Sequence, residues 1–281
     1  MQVLADRSAD VIYPAGETRT KSLTTDQVRA LTRPAAQAWL KRLITDAPIE
    51  VAVVGDIDRE TATRLVTKYV GSLHTRPRID DKTLANLRTI ARPQGPFALA
   101  ESVEILTPQA AVLTGFFGTD IQNVRDTRLL NLAARVLSTR MIKTIREEQQ
   151  LVYSIDASSE AAVIYPGFGL FASAAPTDPE KAQKLAAALE QMYAEFYKDG
   201  PTAEELSVAK KQTATLLDEV LKTPGFWLGR LATLDYRGLT IDDVLEAQAQ
   251  YQSFSAQEVQ DAFVRYDKPE ARVRFVITPK S

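Results

Sequence analysis

Two apolar stretches near the middle of the chain, Phe97–Ile105 (FALAESVEI) and Ala110–Phe117 (AAVLTGFF), decide the fold class, because a long helical segment follows them. That segment, Asp120–Glu148, carries apolar residues at the spacing of one helix face. Beyond it, Val152–Glu160 and Gly167–Ala174 alternate polar and apolar residues as paired strands do. The order predicts pairs of strands on either side of one long helix.

The rest of the chain downstream predicts several helices and one last strand. Three helix starts match the capping-box pattern S/T-x-x-E: Thr177 with Glu180, Thr202 with Glu205, and Ser255 with Glu258. The chain closes on Ala271–Thr278, where apolar and basic residues alternate. Strand pairs beside runs of helices predict an α+β fold, with a mixed or antiparallel sheet that helices cover on one face.

The first part of the chain gives a less balanced pattern. Its first twenty residues are polar and irregular, which predicts a loop. A helix capped by Thr24 or Thr25 follows, and Pro34 should kink or divide it. Glu50–Gly55 (EVAVVG) predicts a strand buried on both faces, and Arg59–Tyr69 predicts a helix.

This lone strand bears on the domain organisation. Its backbone groups need partners, so either it joins the downstream sheet or its own domain extends upstream of Met1. We expect the second, with the chain a fragment of a longer protein. A charged, proline-containing stretch from His74 to Pro96 predicts a linker. We therefore expect residues 1–92 to be the C-terminal portion of an upstream domain plus linker, and 93–281 to be one complete domain.

Composition excludes several classes of function. The 281 residues include 34 Lys and Arg against 36 Asp and Glu, a net charge of -2, so we expect no nucleic-acid partner. There is no cysteine, which excludes disulfides and thiolate metal sites, and only one histidine, His74. No apolar run approaches the roughly 18 residues that a membrane span requires.

Seven segments, in this order, carry a resemblance to a known family. They are Leu23–Val28 (LTTDQV), Val51–Asp58 (VAVVGDID), Tyr69–Leu73 (YVGSL), Arg135–Met141 (RVLSTRM), Ile145–Ser154 (IREEQQLVYS), Gly200–Leu206 (GPTAEEL) and Val273–Pro279 (VRFVITP). Together they resemble the C-terminal, non-zinc region of the insulinase, pitrilysin and mitochondrial processing peptidase family of zinc metallopeptidases. The resemblance covers nearly the whole chain and implies a processing-peptidase-like α+β domain preceded by the remnant of a similar domain.

The departure from the family pattern concerns the metal. The family's zinc site is an inverted HxxEH motif on a helix, which a chain with one histidine cannot contain. The resemblance therefore implies no cofactor in this chain and a zinc ion in the catalytic half of the full protein. The implied partners are a peptide substrate and a zinc-bearing half or subunit of the same family. Family habit points to a bacterial periplasm or cytoplasm.

Arg146 and Tyr153 are the candidate catalytic residues. The resemblance implies that this pair, seven residues apart, reaches across to the zinc half and hydrogen-bonds the substrate backbone near the scissile carbonyl. A guanidinium and a phenol can both donate to a developing oxyanion. Two simpler roles stay open: Arg146 neutralising a helix C-terminus, and Tyr153 packing in the core.

The resemblance implies one main function and one alternative. The main function is that of the non-zinc part of an insulinase-like metalloendopeptidase, which closes the chamber and helps hold peptide for zinc-dependent hydrolysis. The alternative is a catalytically inactive, zinc-free homologue that serves as a peptide-binding or structural subunit. A stand-alone small-molecule enzyme would need a polar constellation that the sequence lacks. Asp56 and Asp58 form a pair of carboxylates, but a helix N-cap explains them more simply.

Overall fold

The computed structural model describes residues 2–104 and 108–280, and these residues group into two compact units. The larger one, here the sheet unit, comprises Met1–Lys21, Thr89–Leu217 and Asp242–Ser281. The smaller one, here the small unit, comprises Ser22–Arg88 and Asp218–Ile241. The two units alternate along the chain, and the expected domain boundary between residues 92 and 93 stays a prediction.

The sheet unit contains a mixed sheet that has five strands among the described residues. The strands are β1 (Phe97–Val103), β2 (Ala110–Phe117), β3 (Ala157–Glu160), β4 (Leu170–Thr177) and β5 (Arg272–Pro279). Their order is β1-β5-β2-β4-β3, in which β1 and β5 are parallel and the other neighbours antiparallel. The predicted α+β class with a mixed sheet is confirmed. The strand expected at Phe97–Ile105 ends at Val103, and Ile105 lies outside the described residues.

The helices account for most of the remaining ordered chain. In chain order they are α1 (Gln2–Ile12), α2 (Thr25–Ala30), α3 (Arg33–Asp46), α4 (Arg59–Tyr69), α5 (Asp81–Arg88), α6 (Val124–Met141), α7 (Ala182–Asp199), α8 (Ala203–Val220), α9 (Pro224–Leu231), α10 (Asp242–Leu245), α11 (Ala247–Ser253) and α12 (Ala256–Tyr266). A turn of π-helix, Ile142–Glu148, continues α6 directly.

An aromatic cluster joins the sheet to α7 and α12. Phe116 of β2 stacks on Phe171 of β4, with ring centroids 4.9 Å apart, and Phe263 of α12 meets Phe116 edge-on at 5.0 Å. Tyr193 of α7 closes the cluster, and burial raises the pKa of its phenol well above the ordinary value. Beside these rings the backbones of β2 and β4 run so close that a Cβ at Gly115 would collide with a carbonyl oxygen of β4. Glycine is therefore required at that position.

Gln2–Ile12 forms the helix α1, within the stretch where the sequence predicted a loop. Leu4 of α1 is buried in the core, and α1 contacts β1 and β5. Just after α1, Tyr13 stacks on Phe168, which in turn meets Phe117. Because successive strand residues point to opposite faces, Phe117 and α1 lie on the other side of the sheet from Phe116. The loop prediction was wrong because this segment has too few apolar side chains to show a helical pattern. Its helix is stabilised by packing against β1 and β5.

Two of the three predicted capping boxes form. Ser255 and Glu258 cap α12 reciprocally, and Thr202 and Glu205 do the same at α8. The Thr177 hydroxyl instead donates to the carbonyl of Leu151, and α7 begins five residues later, after a 3₁₀ turn. That prediction was wrong because a tertiary acceptor competes for the same hydroxyl.

In the small unit, the predicted helices form and the predicted strand does not. Thr32 caps α3, and Pro34 falls in its first turn, so the expected division between α2 and α3 is confirmed. Asp58 caps α4 through the N–H of Thr61 at 2.8 Å, and α4 spans the predicted residues. Glu50–Gly55 has no strand pairing in the structure. An isolated apolar run of this kind lacks a neighbouring strand to pair with.

The small unit also leaves many of its apolar side chains exposed. Helices α2, α3, α4, α5 and α9 contain no buried residue among those described. Trp39 and Ile44 of α3 are 58% and 61% exposed. Val51 and Val53, in the segment expected to be a strand, are also exposed.

Candidate functional site

A turn at the end of the π-helix brings the two candidate residues together. The Leu151 N–H donates to the carbonyl of Ile145 at 3.1 Å, which folds the chain back on the helix. Gln150 adopts a left-handed conformation, with φ of 52°, to make this reversal. Ile145, Leu151 and Val152 are buried and anchor the turn on both sides.

The side chains of Arg146 and Tyr153 lie next to each other on the surface. The guanidinium carbon of Arg146 is 5.6 Å from the centroid of the Tyr153 ring, within the range of a cation–π contact. Tyr153 is 88% exposed, and Arg146 is exposed as well. The structure therefore brings together the pair selected from the sequence, and the role of the pair in substrate binding stays a prediction.

The exposure of the two side chains tests the simpler roles, core packing for Tyr153 and neutralisation of a helix terminus for Arg146. An 88% exposed ring does not pack in the core, so the packing role for Tyr153 was wrong. Arg146 lies in the last turn of the π-helix, where a cation is favourable. Among the described residues it forms no ion pair with Glu147 or Glu148, so its charge is available to a ligand.

A salt bridge fixes the helix that carries this site. Arg140, near the end of α6, makes a two-point contact with the carboxylate of Glu205 on α8, at 2.7 Å for each nitrogen–oxygen pair. It also donates to the carbonyl of Gly200 at 2.8 Å. The hydrogen bonds from Arg140 are the main reason that the pKa of Glu205 falls to about 2. The contact ties the end of α6 to the start of α8.

A groove of about 540 Å³ runs beside this helix and was not anticipated from the sequence. Its walls come from α6, the edge strand β3, α8 and α11, and include Arg135, Ser138, Asp156, Ser159 and Gln212. A signal for it does exist in the sequence. Polar residues recur at helical spacing on one face of α6. The sequence does not show that this face borders a groove, because that depends on the position of β3.

No metal site is present in the part of the chain that the structure describes. His74 is exposed in a loop, and no group of three or more potential metal ligands occurs among the described residues. Asp58, one of the paired carboxylates, serves as the N-cap of α4, and the hydrogen bond from the Thr61 N–H lowers its pKa. The residues present therefore do not fit a zinc centre. Among them, no helix has the length and apolar character needed to cross a bilayer.

Comparison with known proteins identifies the family. The model of the peptidase M16 inactive domain matches residues 30–213. The chain belongs to this family. It is thus a non-zinc domain of insulinase-like peptidases, as the segments around Arg146 and Tyr153 indicated. Among curated proteins, none matches the sequence.

Solved structures share the fold over nearly the whole chain. The peptidase M16 inactive domain from Pseudomonas fluorescens superposes with a TM-score of 0.80 at 17% identity. The match covers 100% of this chain and 66% of the Pseudomonas chain. The periplasmic protease PqqL from Escherichia coli gives 0.74 at 18% identity, with 99% and 30% covered. A mutant of the ferredoxin protease FusC, solved in complex with Arabidopsis ferredoxin, gives 0.73 at 15% identity, with 100% and 30% covered. This chain thus spans less than two thirds of the length of these structures.

Proposed function

We propose that this chain is the non-zinc part of an insulinase-like metalloendopeptidase, which closes the chamber and helps hold the peptide substrate. One observation carries the proposal: Arg146 and Tyr153 present a guanidinium and a phenol side by side on one exposed edge. The Tyr153 hydroxyl has no hydrogen-bond partner among the described residues. Both groups are therefore available to something outside this chain.

The chemistry of the pair fits peptide-bond hydrolysis. As a nucleophile attacks the scissile carbonyl, negative charge develops on its oxygen, and donors placed beforehand lower the barrier. The phenol of Tyr153 supplies one O–H donor, and Arg146 supplies N–H donors together with a positive charge. The cation–π contact restrains both side chains, which lowers the entropy lost on binding substrate.

The remaining parts of the proposed enzyme lie outside this chain. Its partner is a zinc-bearing half or subunit of the same family, and zinc belongs to that half, because the described residues do not fit a metal site. The proposed substrate is a peptide. Two structurally similar proteins are named as proteases, and one of them was solved bound to a protein, ferredoxin. That likeness supports a peptide ligand for this fold.

Replacement of Tyr153 by phenylalanine in the enzyme reconstituted with its catalytic half tests the proposal. The change removes one donor and keeps the ring, so folding stability should hardly change. If the hydroxyl serves the transition state, kcat should fall on the order of 100-fold, as for the loss of one oxyanion-hole donor. Arg146→Ala should also lower kcat, and should raise KM because it removes a charge from the ground-state complex as well.

Tyr236→Phe is the matched control. Tyr236 is 41% exposed, and the guanidinium carbon of Arg88 lies 4.3 Å from the centroid of its ring. Its kcat should equal that of the wild type. An unchanged kcat for Tyr153→Phe would contradict the proposed role. If the reconstituted complex binds peptide but hydrolyses none, the alternative function, a zinc-free peptide-binding or structural subunit, is the correct one.

A further inference from the structure

The groove beside α6 has a strand edge as one wall. β3 is the last strand of the sheet, and Asp156–Ser159 line the groove. The Ser138 hydroxyl accepts from the N–H of Ala157 at 2.9 Å and donates to the carbonyl of Ala134 at 2.8 Å, with the Ala157 carbonyl 3.2 Å from the same oxygen. The N–H and carbonyl of Ala157 therefore point away from β4. Backbone direction alternates from one strand residue to the next, so Ser159, two positions later, also points its N–H and carbonyl away from β4. Ser138 occupies this edge at Ala157, so the outward backbone groups that a partner can reach are those of Ser159, and unpaired strand-edge groups of this kind bind extended peptides.

The groove also holds an arginine without a partner. Arg135 of α6 is partly buried in the groove wall, and its side chain forms no hydrogen bond, ion pair or ring contact with any residue that the structure describes. Partial burial of a charge costs free energy unless a partner compensates for it. The other arginine near this end of α6, Arg140, shows the usual solution, a two-point contact with a carboxylate. Arg135 lacks the equivalent.

The groove also contains polar groups that have no partner among the described residues. Gln212 of α8 lines the groove with its amide free of any described partner. The hydroxyl oxygen of Ser159 is buried in the wall and likewise has no described partner. These groups provide hydrogen-bond donors in the groove that Arg135 also lines.

We propose that this groove binds a carboxylate-bearing peptide in an extended conformation, with Arg135 as the cationic contact and the edge of β3 as the backbone contact. The inference deepens the proposed function, on which it rests for the peptide character of the ligand. Arg135 would hold the carboxylate in the two-point geometry that guanidinium groups favour. Ser159 would exchange backbone hydrogen bonds with the peptide.

Asp156 is the charge in the groove that opposes this ligand. It is exposed at the start of the β3 wall, and it forms no ion pair with Arg135 within 4 Å. Its exposure lets solvent screen its charge. We therefore expect Asp156→Asn to tighten the binding of an acidic peptide, by a factor of about two to five.

Fluorescence polarisation with three labelled peptides tests the site on this chain alone. Each probe is a serine- and threonine-rich peptide of about nine residues: one with a central glutamate and an amidated C-terminus, one with glutamine instead, and one with glutamine and a free C-terminal carboxylate. At least one carboxylate probe should bind about tenfold or more tightly than the uncharged probe. Comparing the affinities of the two carboxylate probes tells whether the bound carboxylate belongs to a side chain or to a C-terminus.

Arg135→Gln should remove the preference for carboxylate, and Lys143→Gln should leave it intact. Lys143 is an exposed cation on the π-helix that does not line the groove, so the control removes the same charge nearby. Equal affinity for all three probes, or equal losses in the two variants, would overturn the site. The readout needs no hydrolysis, so a failure here leaves the Tyr153 test of the proposed function unaffected.

Discussion

Gln150 determines how the chain passes from Arg146 to Tyr153. Its φ of 52° lies in the left-handed region, where a residue with a Cβ pays roughly 1–2 kcal/mol. The hydrogen bond from Leu151 to Ile145 and the buried side chains on either side impose this conformation. The cost is local, and the benefit is an exposed edge on which both candidate side chains meet.

Gln150→Gly should therefore leave the free energy of unfolding unchanged or raise it by up to about 1 kcal/mol, because relief of the left-handed cost offsets the entropy of glycine. Gln150→Val should lower it by about 1 kcal/mol or more. Urea unfolding measures both. Gln149→Gly is the control, since Gln149 has an ordinary φ of -92°, and it should be destabilising. Identical effects of glycine at positions 149 and 150 would show that the backbone conformation carries no cost.

At the scale of elements, the contact between α6 and α8 holds the groove and the candidate pair in place. Arg140 reaches from α6 to Glu205, which also caps α8 through the N–H of Thr202. One carboxylate thus satisfies a helix start and an arginine at once. Because α6 runs directly into the π-helix that carries Arg146, loosening this contact should also affect the site.

The contact predicts an acid-sensitive stability. The pKa of Glu205 is about 2 in the folded chain against an ordinary 4.5, so its stabilisation is complete above pH 4.5 and is lost as the pH falls toward 2. Because the pair is partly exposed, we expect a loss of about 1–2 kcal/mol rather than the full value of the shift. Glu205→Gln should abolish this part of the pH dependence, and the neighbouring Glu204→Gln should retain it. Urea unfolding between pH 6 and about 3 measures the difference, and parallel profiles for wild type and Glu205→Gln would contradict the assignment.

At the scale of the whole molecule, the two units differ in what they bury. The sheet unit has a continuous apolar core, whereas the described helices of the small unit bury none of their residues. The apolar side chains of α3, among them Trp39 and Ile44, are exposed. The expectation that residues 1–92 are part of another domain stays a prediction.

The purified chain should hydrolyse no peptide, with or without added zinc. Its single histidine and the absence of a group of metal ligands among the described residues leave no place for a catalytic metal. A broad peptide library read by mass spectrometry, with and without zinc, measures this. Turnover that requires zinc and that a chelator abolishes would refute the prediction. Addition of a zinc-bearing half of the same family serves as the positive control.

Much of this architecture is local and could be predicted from the sequence. The start of α8 follows from Thr202 and Glu205, and the division between α2 and α3 follows from Pro34. The span of α4 follows from Asp58 and the apolar spacing of the helix. Each depends on hydrogen bonds between residues three or four positions apart. The family-like spacing of Arg146 and Tyr153 is likewise a local property, because only seven positions separate the two residues.

Only the tertiary structure decided the features that depend on distant partners. The insertion of β5 between β1 and β2, the failure of Glu50–Gly55 to form a strand, and the helix in the first twenty residues all depend on which surfaces meet. The groove around Arg135 belongs to this class, since its walls come from segments far apart in the chain. Sequence by itself determined where α3, α4, α8 and α12 begin and which metal chemistry is excluded, because helix caps and residue type are local properties. Strand order, exposure and the groove are set by long-range packing, whose free energy no short segment contains.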